Sequence, residues 1–579
     1  MKPYQTTLLF VLLAAGTAAA QDFQRIAPKV PERPGAAPSS EAPPPKTATP
    51  ALSPVPASAV IPGTPTLRSL VFVPKQTVVK IRGISAAPGT HVRDVPFLER
   101  PDFRARMERY YGQPLTLALA NLIAQDVTAY YAEQNRPVVN VNVPEQDVTS
   151  GVMQMVVIEG TVAEVRVEGN RWFRADRFRS GVRLREGEPI YKNRLDADLA
   201  RLNANPFRTV YSVFTPGDRP GTTDVVLKVE DRFPLRAYAG YENTGTDLTG
   251  ENRLFAGFNW GNVFGLDHQF NYQFTANPDL ELFRAHSGSY IVPLPWRHTL
   301  TVFGAYAETA PELPQGFAQE GRSYQVSFRY SVPLPPIGAY KHEVVAGYDF
   351  KNTNNNLAFG GTEVFDSSLD VSQFVLSYLA SFEHKFGRVS FEGSLFGSPG
   401  DMTDDNDAEN FALTREGADP DYYYALLRLN NISPLPWGMT LSNQFTGQIA
   451  SGPLVGTEQL GFGGYNSIRG YSERIVNGDG GFIMNHELRS PTLYPLRALG
   501  VTRVQDSLQF LAFWDFGIAT IEDAAPWEDD SITLSSVGIG LRYALNPYVS
   551  VRADYGWQLA EVVGDDEDAR FHVGVTVSY

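Results

Sequence analysis

The 579-residue chain carries a net charge of −15, no cysteine and 12% aromatic residues, with 35 Phe, 27 Tyr and 50 Gly. Its length exceeds what a single core fills, its acidity excludes nucleic acid as a default partner, and the absence of cysteine excludes disulfide staples and thiolate metal sites. Beyond the N-terminus no uninterrupted apolar run approaches the roughly 20 residues of a transmembrane helix, so any membrane span has to be a closed barrel of strands.

Met1 to Ala20 has Lys2 as a charged start, Leu8 to Ala15 as a short apolar stretch and Ala18-Ala19-Ala20 as a small-residue cleavage site. It reads as a secretory signal peptide cut before Gln21, and export follows. Residues 21–67 continue as a Pro-, Ala- and Ser-rich segment, with Pro43-Pro44-Pro45 and further prolines up to Pro65. Such a composition cannot bury a core and predicts an extended, semi-rigid linker.

Residues 68–159 predict a small β-α-α-β-β domain. Val71 to Ile84 reads as a strand, Phe103 to Tyr111 and Leu115 to Gln134 as helices, and Val138 to Val143 and Val152 to Ile158 as strands. The second helix places Leu119, Leu122, Ile123, Val127 and Tyr130 on one face, the spacing for packing on a sheet. The pattern repeats over 160–232: Val165 and Val167 lead to the turn Gly169-Asn170. Leu195, Leu199 and Leu202 mark a helix ended by Pro206, and Val210 to Phe214 and Val225 to Val229 are strands. This second module concentrates Arg171, Arg174, Arg177, Arg179, Arg183 and Arg185. One reading is a basic surface that steers an acidic client; a solvated face or a contact with anionic headgroups fits equally.

From Phe233 to Tyr579 short strands alternate with turns. In Ser323 to Val332, Tyr324, Val326, Phe328, Tyr330 and Val332 face one way, and Gln325, Ser327, Arg329 and Ser331 the other. A soluble sandwich shows the same alternation. The connections discriminate better: Pro293-Leu294-Pro295, Pro333-Leu334-Pro335 and Pro434-Leu435-Pro436 make short repeated turns, whereas Asp401 to Asp421 is long and polar, the asymmetry of a transmembrane barrel. Strands are expected near residues 235, 254, 270, 288, 300, 325, 344, 374, 390, 424, 441, 483, 510, 535, 550 and 573. The longest connection, 451–480, falls between the eleventh and twelfth. The fold class is therefore mixed: two small α+β domains followed by an all-β antiparallel barrel of sixteen strands.

Inside 451–480 stands Gly461 to Tyr471, GFGGYNSIRGY, and downstream Phe513-Trp514-Asp515-Phe516-Gly517. An Arg in a glycine-rich loop and an Asp in an aromatic strand must find each other if either is buried, since an unpaired buried charge costs several kcal/mol. We read Arg469 and Asp515 as partners. The tetrad Ile468, Arg469, Gly470 and Tyr471 and the set Phe513, Asp515 and Gly517 resemble the signature of the two-partner secretion transporters. Those are outer-membrane β-barrels preceded by periplasmic POTRA domains.

The resemblance covers about residue 68 to the C-terminus. It implies a pore that captures a secreted β-helical exoprotein in the periplasm and delivers it to the cell surface, without nucleotide, metal or other cofactor. In that family the loop folds back into the barrel and its Arg meets the Asp of the strand. A helix ahead of the linker plugs the barrel; here only Gln21 to Ile26 precedes the prolines, too short for a stable helix. Two modules rather than five favour secretion over general barrel assembly, which stays as the alternative. Phe571, Val573, Val575, Val577 and Tyr579 resemble the C-terminal signal by which the assembly machinery recognises barrels, or else are simply a final strand.

Candidate chemistry is scarce. The chain has no phosphate-binding G-x-x-x-x-G-K-S/T, no H-E-x-x-H and no G-x-S-x-G, and its eight histidines are scattered. Gly461, Gly463 and Gly464 lack the third glycine of a dinucleotide loop, since position 466 is Asn, and no βαβ unit surrounds them. An enzyme is not expected. Acids cluster at Asp404, Asp405 and Asp407, at Asp529 and Asp530, and at Asp565 to Asp568; they read as solvated outer loops or as divalent-ion bridges to lipopolysaccharide.

Overall fold

The computed structural model describes residues 23–30, 64–313, 317–359, 362–501, 504–526 and 528–579. The predicted signal peptide and most of the proline-rich linker lie outside them. The chain divides into two units, residues 42–232 and residues 1–41 together with 233–579.

Within the first unit, the first module is a four-stranded sheet in the order Gly89–Val92, Ser69–Val73, Val152–Glu159, Val139–Asn142. The expected long strand from Val71 stops at Val73 because Pro74 has no N–H to donate to the ladder; the chain turns and returns as the extra strand 89–92, parallel to 69–73. Helices Pro101–Glu108 and Leu117–Glu133 cover the sheet. Thr116 caps the second, its hydroxyl accepting from the Leu119 N–H at 3.1 Å. Leu119, Ile123, Val127 and Tyr130 are fully buried against Leu70, Phe72 and Met155, the face that the helical spacing gives.

The second module pairs Thr161–Glu168 in parallel with Thr222–Asp231, and the latter antiparallel with Arg208–Pro216. Helix Lys192–Leu202 is where Leu195, Leu199 and Leu202 put it. A second helix, Ala175–Gly181, lies within the arginine run. It has one apolar anchor, the fully buried Phe178, too little to produce a visible period.

The other unit is a closed barrel of sixteen strands, and each predicted strand position falls inside one of them. The last, Ala569–Ser578, closes antiparallel on the first, Leu235–Glu242. Closure leaves no edge to solvate, which is what lipid demands. Tyr324, Val326 and Phe328 are exposed on the outside, while the intervening Ser327 is buried on the inside. The proline turns 294–298, 334–340 and 435–439 share one rim with the start of the first barrel strand and the end of the last; connections 400–420 and 451–479 are on the other. One connection breaks the short-turn expectation: 490–504, on the proline-turn rim, contains helix Pro495–Ala498, tied down by the Leu496 N–H donating to Asp506 at 2.9 Å.

Candidate functional site

Connection 451–479 turns back into the barrel instead of standing over its mouth. A two-stranded ribbon, Leu460–Phe462 with Val476–Gly478, forms its stem. Ile468 and Tyr471, with Phe462 and Val476 of the stem, bury themselves against Ile483, Ala519 and Leu534 of the wall strands and Val562 of the connection that follows Gln558. The Tyr471 hydroxyl lies 2.8 Å from the Ser535 carbonyl and 2.7 Å from that of Ala560, and donates to one of the two.

Arg469 sits at the centre. Its Nε donates to Asp515 Oδ2 and its Nη2 to Oδ1, both at 2.8 Å, while its backbone N–H reaches Oδ2 at 3.1 Å. Nη1 donates to Glu487 at 2.6 Å and lies 3.8 Å from Asp554. The guanidinium also stacks 3.6 Å from the Phe513 ring centroid. Side-chain exposures of 4% for Arg469 and 0% for Asp515 and Asp554 put these charges out of bulk water. Arg489 and Arg542 complete the set, pairing with Glu487 and Asp554, so three guanidinium groups face three carboxylates. A balanced, hydrogen-bonded set is how charges are kept buried.

Two glycines permit this approach. Gly470 has φ +92° and lies against the backbone of Gly556, where a Cβ would meet Gly556 carbonyl atoms at 3.1 Å. Gly517 leaves the space that Ile468 enters; a Cβ there would stand 2.6 Å from Ile468 Cδ1. The N–H of Gly470 donates to His572 Nε2 at 3.0 Å.

Sequence reasoning did not find two further anchors of the same loop. Glu458, with its side chain fully buried, takes Lys351 at 2.6 Å, Gln373 at 2.8 Å and Tyr424 at 3.0 Å, on a different stretch of wall. Asp479, also fully buried, accepts from Arg415 at 2.6 Å and from the N–H groups of Leu454 at 2.8 Å and Glu522 at 2.9 Å. Arg415 follows helix Ala408–Thr414, whose Phe411 is buried with Leu454 and Val455, so connection 400–420 is folded onto the base of the loop. Lone acids in a glycine-rich loop, Glu458 and Asp479, were the available signal.

Residues 23–30 share the lumen. Phe23–Ile26 makes one helical turn, short as expected, and the wall holds it in place. Phe23 packs on Phe303 with centroids 4.7 Å apart and ring planes tilted by 40°, and Ile26 is buried against Phe283, Ala285 and Ala307. Between this segment and the loop lies a cavity of about 720 Å³, lined among others by Lys29, Arg329, Glu458, Glu473, Arg474 and Arg552.

The remaining predicted residues lie elsewhere. In the second module Arg183 pairs with the buried Asp198 at 2.9 Å, Arg174 and Arg179 flank Asp176 at 3.6 and 3.4 Å, and Arg185 is 3.9 Å from Glu188. Arg171 stacks on Trp172, and Arg177 lies on the helix 175–181. The basic face is thus interleaved with acids. Phe571, Val573, Val575 and Val577 alternate along the closing strand, Phe571 and Val577 exposed and His572 buried, and Tyr579 is exposed at its end.

Residues 221–543 match the family of haemolysin secretion/activation proteins of the ShlB/FhaC/HecB type, and residues 89–160 match the ShlB-type POTRA domain. The chain belongs to this family. Among curated relatives it is 25% identical to the outer membrane transporter CdiB-2 of Burkholderia pseudomallei, over 71% of this chain and 70% of that one. It is 22% identical to CdiB of Dickeya dadantii, over 84% and 86%. The hemolysin transporter ShlB of Serratia marcescens is 23% identical over 82% of each chain. The solved structure of CdiB from Escherichia coli superposes with a TM-score of 0.70 at 17% identity, covering 91% of this chain and 93% of that one. As a ShlB-type protein, the chain is a two-partner secretion transporter of the outer membrane, with POTRA domains in the periplasm and a sixteen-stranded barrel that exports an exoprotein.

Proposed function

We propose that this chain exports one or a few large β-helical proteins, binding the unfolded client on its two POTRA modules and threading it through the lumen after the loop yields. The observation that carries this reading is the way the lumen is filled. The loop is held by side-chain ion pairs and two apolar clusters, whereas the wall is held by its own closed ladder. The obstruction can therefore leave without opening the barrel. Folding of the client outside supplies the drive, so no nucleotide, metal or enzymatic step is required.

Arg469 and Asp515, with Ile468, Gly470, Tyr471, Phe513 and Gly517, act as the latch of the closed pore. The arginines of the second module steer an acidic client weakly, since their acidic neighbours cancel much of the field. The outer acids sit in solvated loops, and the closing strand from Phe571 to Tyr579 is what the barrel-assembly machinery reads.

Deleting residues 68–231 tests the modules: the barrel should still insert and be heat-modifiable, and the client should stay in the periplasm. Normal export by that truncation would remove them from recognition. Loss of the whole gene separates export from barrel assembly. One or a few proteins should disappear from the surface while other outer-membrane barrels keep their levels; a general fall in barrels would make this an assembly factor.

A further inference from the structure

Residues 23–30 occupy a seat whose construction exceeds what filling a hole requires. The wall reads their backbone: Gln273 and Ser287, both buried, donate to the Ile26 carbonyl, and Arg236 donates to the Lys29 carbonyl at 3.2 Å. The Lys29 N–H donates to the Tyr238 hydroxyl at 3.0 Å. Two side chains are read as well. Ile26 enters an apolar hollow of Phe283, Ala285, Ala305 and Ala307. Three positions on, Lys29 Nζ lies 3.2 Å from Glu242, whose side chain is 7% exposed.

Backbone contacts with two side-chain pockets, one apolar and one acidic, are the composition of a peptide-binding site. Nothing in the seat depends on residues 23–30 being part of the same chain. It opens on the 720 Å³ cavity through which a client would pass, and Phe23 and Lys29 of the resident segment line that cavity.

We propose that this seat is a peptide-binding site of the lumen, selective for a segment with an apolar residue followed three positions later by a cation. The chain's own residues 23–30 fill it at rest, and client segments with the same pattern take it in transit. Its role in transit rests on the export reading above; binding itself does not, so the two fail separately. Because a vacated seat exposes an apolar hollow and a carboxylate, each passing segment of matching chemistry gains contacts that others lack, and release of one segment makes room for the next.

The test uses the full-length protein in detergent or planar bilayers with two substitutions that expel the resident segment, Ile26→Asp and Lys29→Asp, and retained heat-modifiability as the folding control. A fluorescent octapeptide of sequence FQRIAPKV should bind this variant at least about tenfold more tightly than it binds the wild type, where the seat is taken. Alanine at the Ile of the peptide should weaken binding at least about thirtyfold, the effect of losing one buried aliphatic side chain, and alanine at the Lys by no more than about fivefold, the effect of losing a half-solvated ion pair. A peptide of unrelated sequence with Leu and Arg at the same spacing should bind within about threefold of the octapeptide and reduce the variant's conductance. Adding Glu242→Gln to the variant should weaken only peptides that carry the cation. Equal binding of a scrambled peptide, no binding to the folded variant, or binding of the native octapeptide alone would each overturn the proposal, the last because it leaves only an intramolecular contact. If the peptides behave as expected while the wild type exports no protein, the site stands and the export reading falls.

Discussion

Two pieces of chain lie in the same lumen and are held by different physics. The loop 451–479 is tethered at both ends to the wall and fixed by three groups of ion pairs whose acids are almost completely buried, around Glu458, Arg469 and Asp479. Among its described side chains the segment 23–30 has one ion pair, with Lys29 still 34% exposed, and otherwise backbone hydrogen bonds, the ring contact of Phe23 with Phe303 and one aliphatic side chain. Buried pairs are costly to break singly, because the partner is left charged in a dry place, whereas a half-solvated pair contributes little. The difference teaches an order of events: the N-terminal segment leaves readily, and the loop leaves only when several contacts yield together.

The comparison breaks first at Arg469. Arg469→Ala strands Asp515, while Glu487 and Asp554 keep Arg489 and Arg542, and removal of one partner from a buried charge group costs about 3–5 kcal/mol. The barrel should still assemble and stay heat-modifiable, since its ladder is untouched, while single-channel recordings show large openings and client export falls strongly. Unchanged export would take the loop out of the mechanism. Asp515→Ala should do less, because Glu487 still receives Arg469 at 2.6 Å. The double variant should add little to Arg469→Ala, with a coupling of about 1.5–3 kcal/mol in a double-mutant cycle. Strict additivity would mean that the two side chains act separately.

How far this site was legible in the sequence depends on whether a residue's role was local. Sixteen strands could be placed because each keeps its two-residue period and its turns carry Pro or Gly. The pairing of Arg469 with Asp515 could be inferred because both stand in recognisable runs and each would be costly alone. Glu487 and Asp554 could not, since an acid at one inward position looks like any polar lumen residue until the loop is seen to reach it. The helix 175–181 is hidden behind its arginines, and the strand that the apolar run from Val71 suggests ends at Val73 because Pro74 has no N–H for the ladder. The lodging of residues 23–30 depends on a hollow assembled from strands hundreds of positions away, which no local period reports.

A smaller effect is expected at the second anchor. Glu458→Gln keeps the shape and the acceptor for Gln373 and Tyr424 but leaves Lys351 without its carboxylate. Lys351 is 19% exposed and can recover some water, so the loss should be about 1.5–3 kcal/mol at most. The predicted sign is more frequent partial openings with export reduced but present, and Lys351→Met should reproduce it. A phenotype as severe as that of Arg469→Ala would mean that the loop pivots on Glu458 and that the two ends of the loop are equivalent.

The smallest effect is expected from Lys29→Ala. Its ammonium is partly in water, and Glu242 does not depend on it, since Arg552 remains at 2.8 Å from the same carboxylate. The ion pair is then worth about 0.2–1 kcal/mol, which changes the occupancy of the seat by no more than about fivefold. In a bilayer this should appear as more frequent flicker with the same closed-state baseline, because the loop still fills the rest of the lumen. Raising the salt from 0.1 to 1 M shortens the screening length from about 10 to about 3 Å. It should therefore make the wild type flicker like the variant while leaving the wild-type loop latched, its charges being shielded by protein and not by solvent. If salt instead released the large openings of Arg469→Ala, the network around Arg469 would be open to water, and the two regions of the lumen would differ only in the number of their contacts.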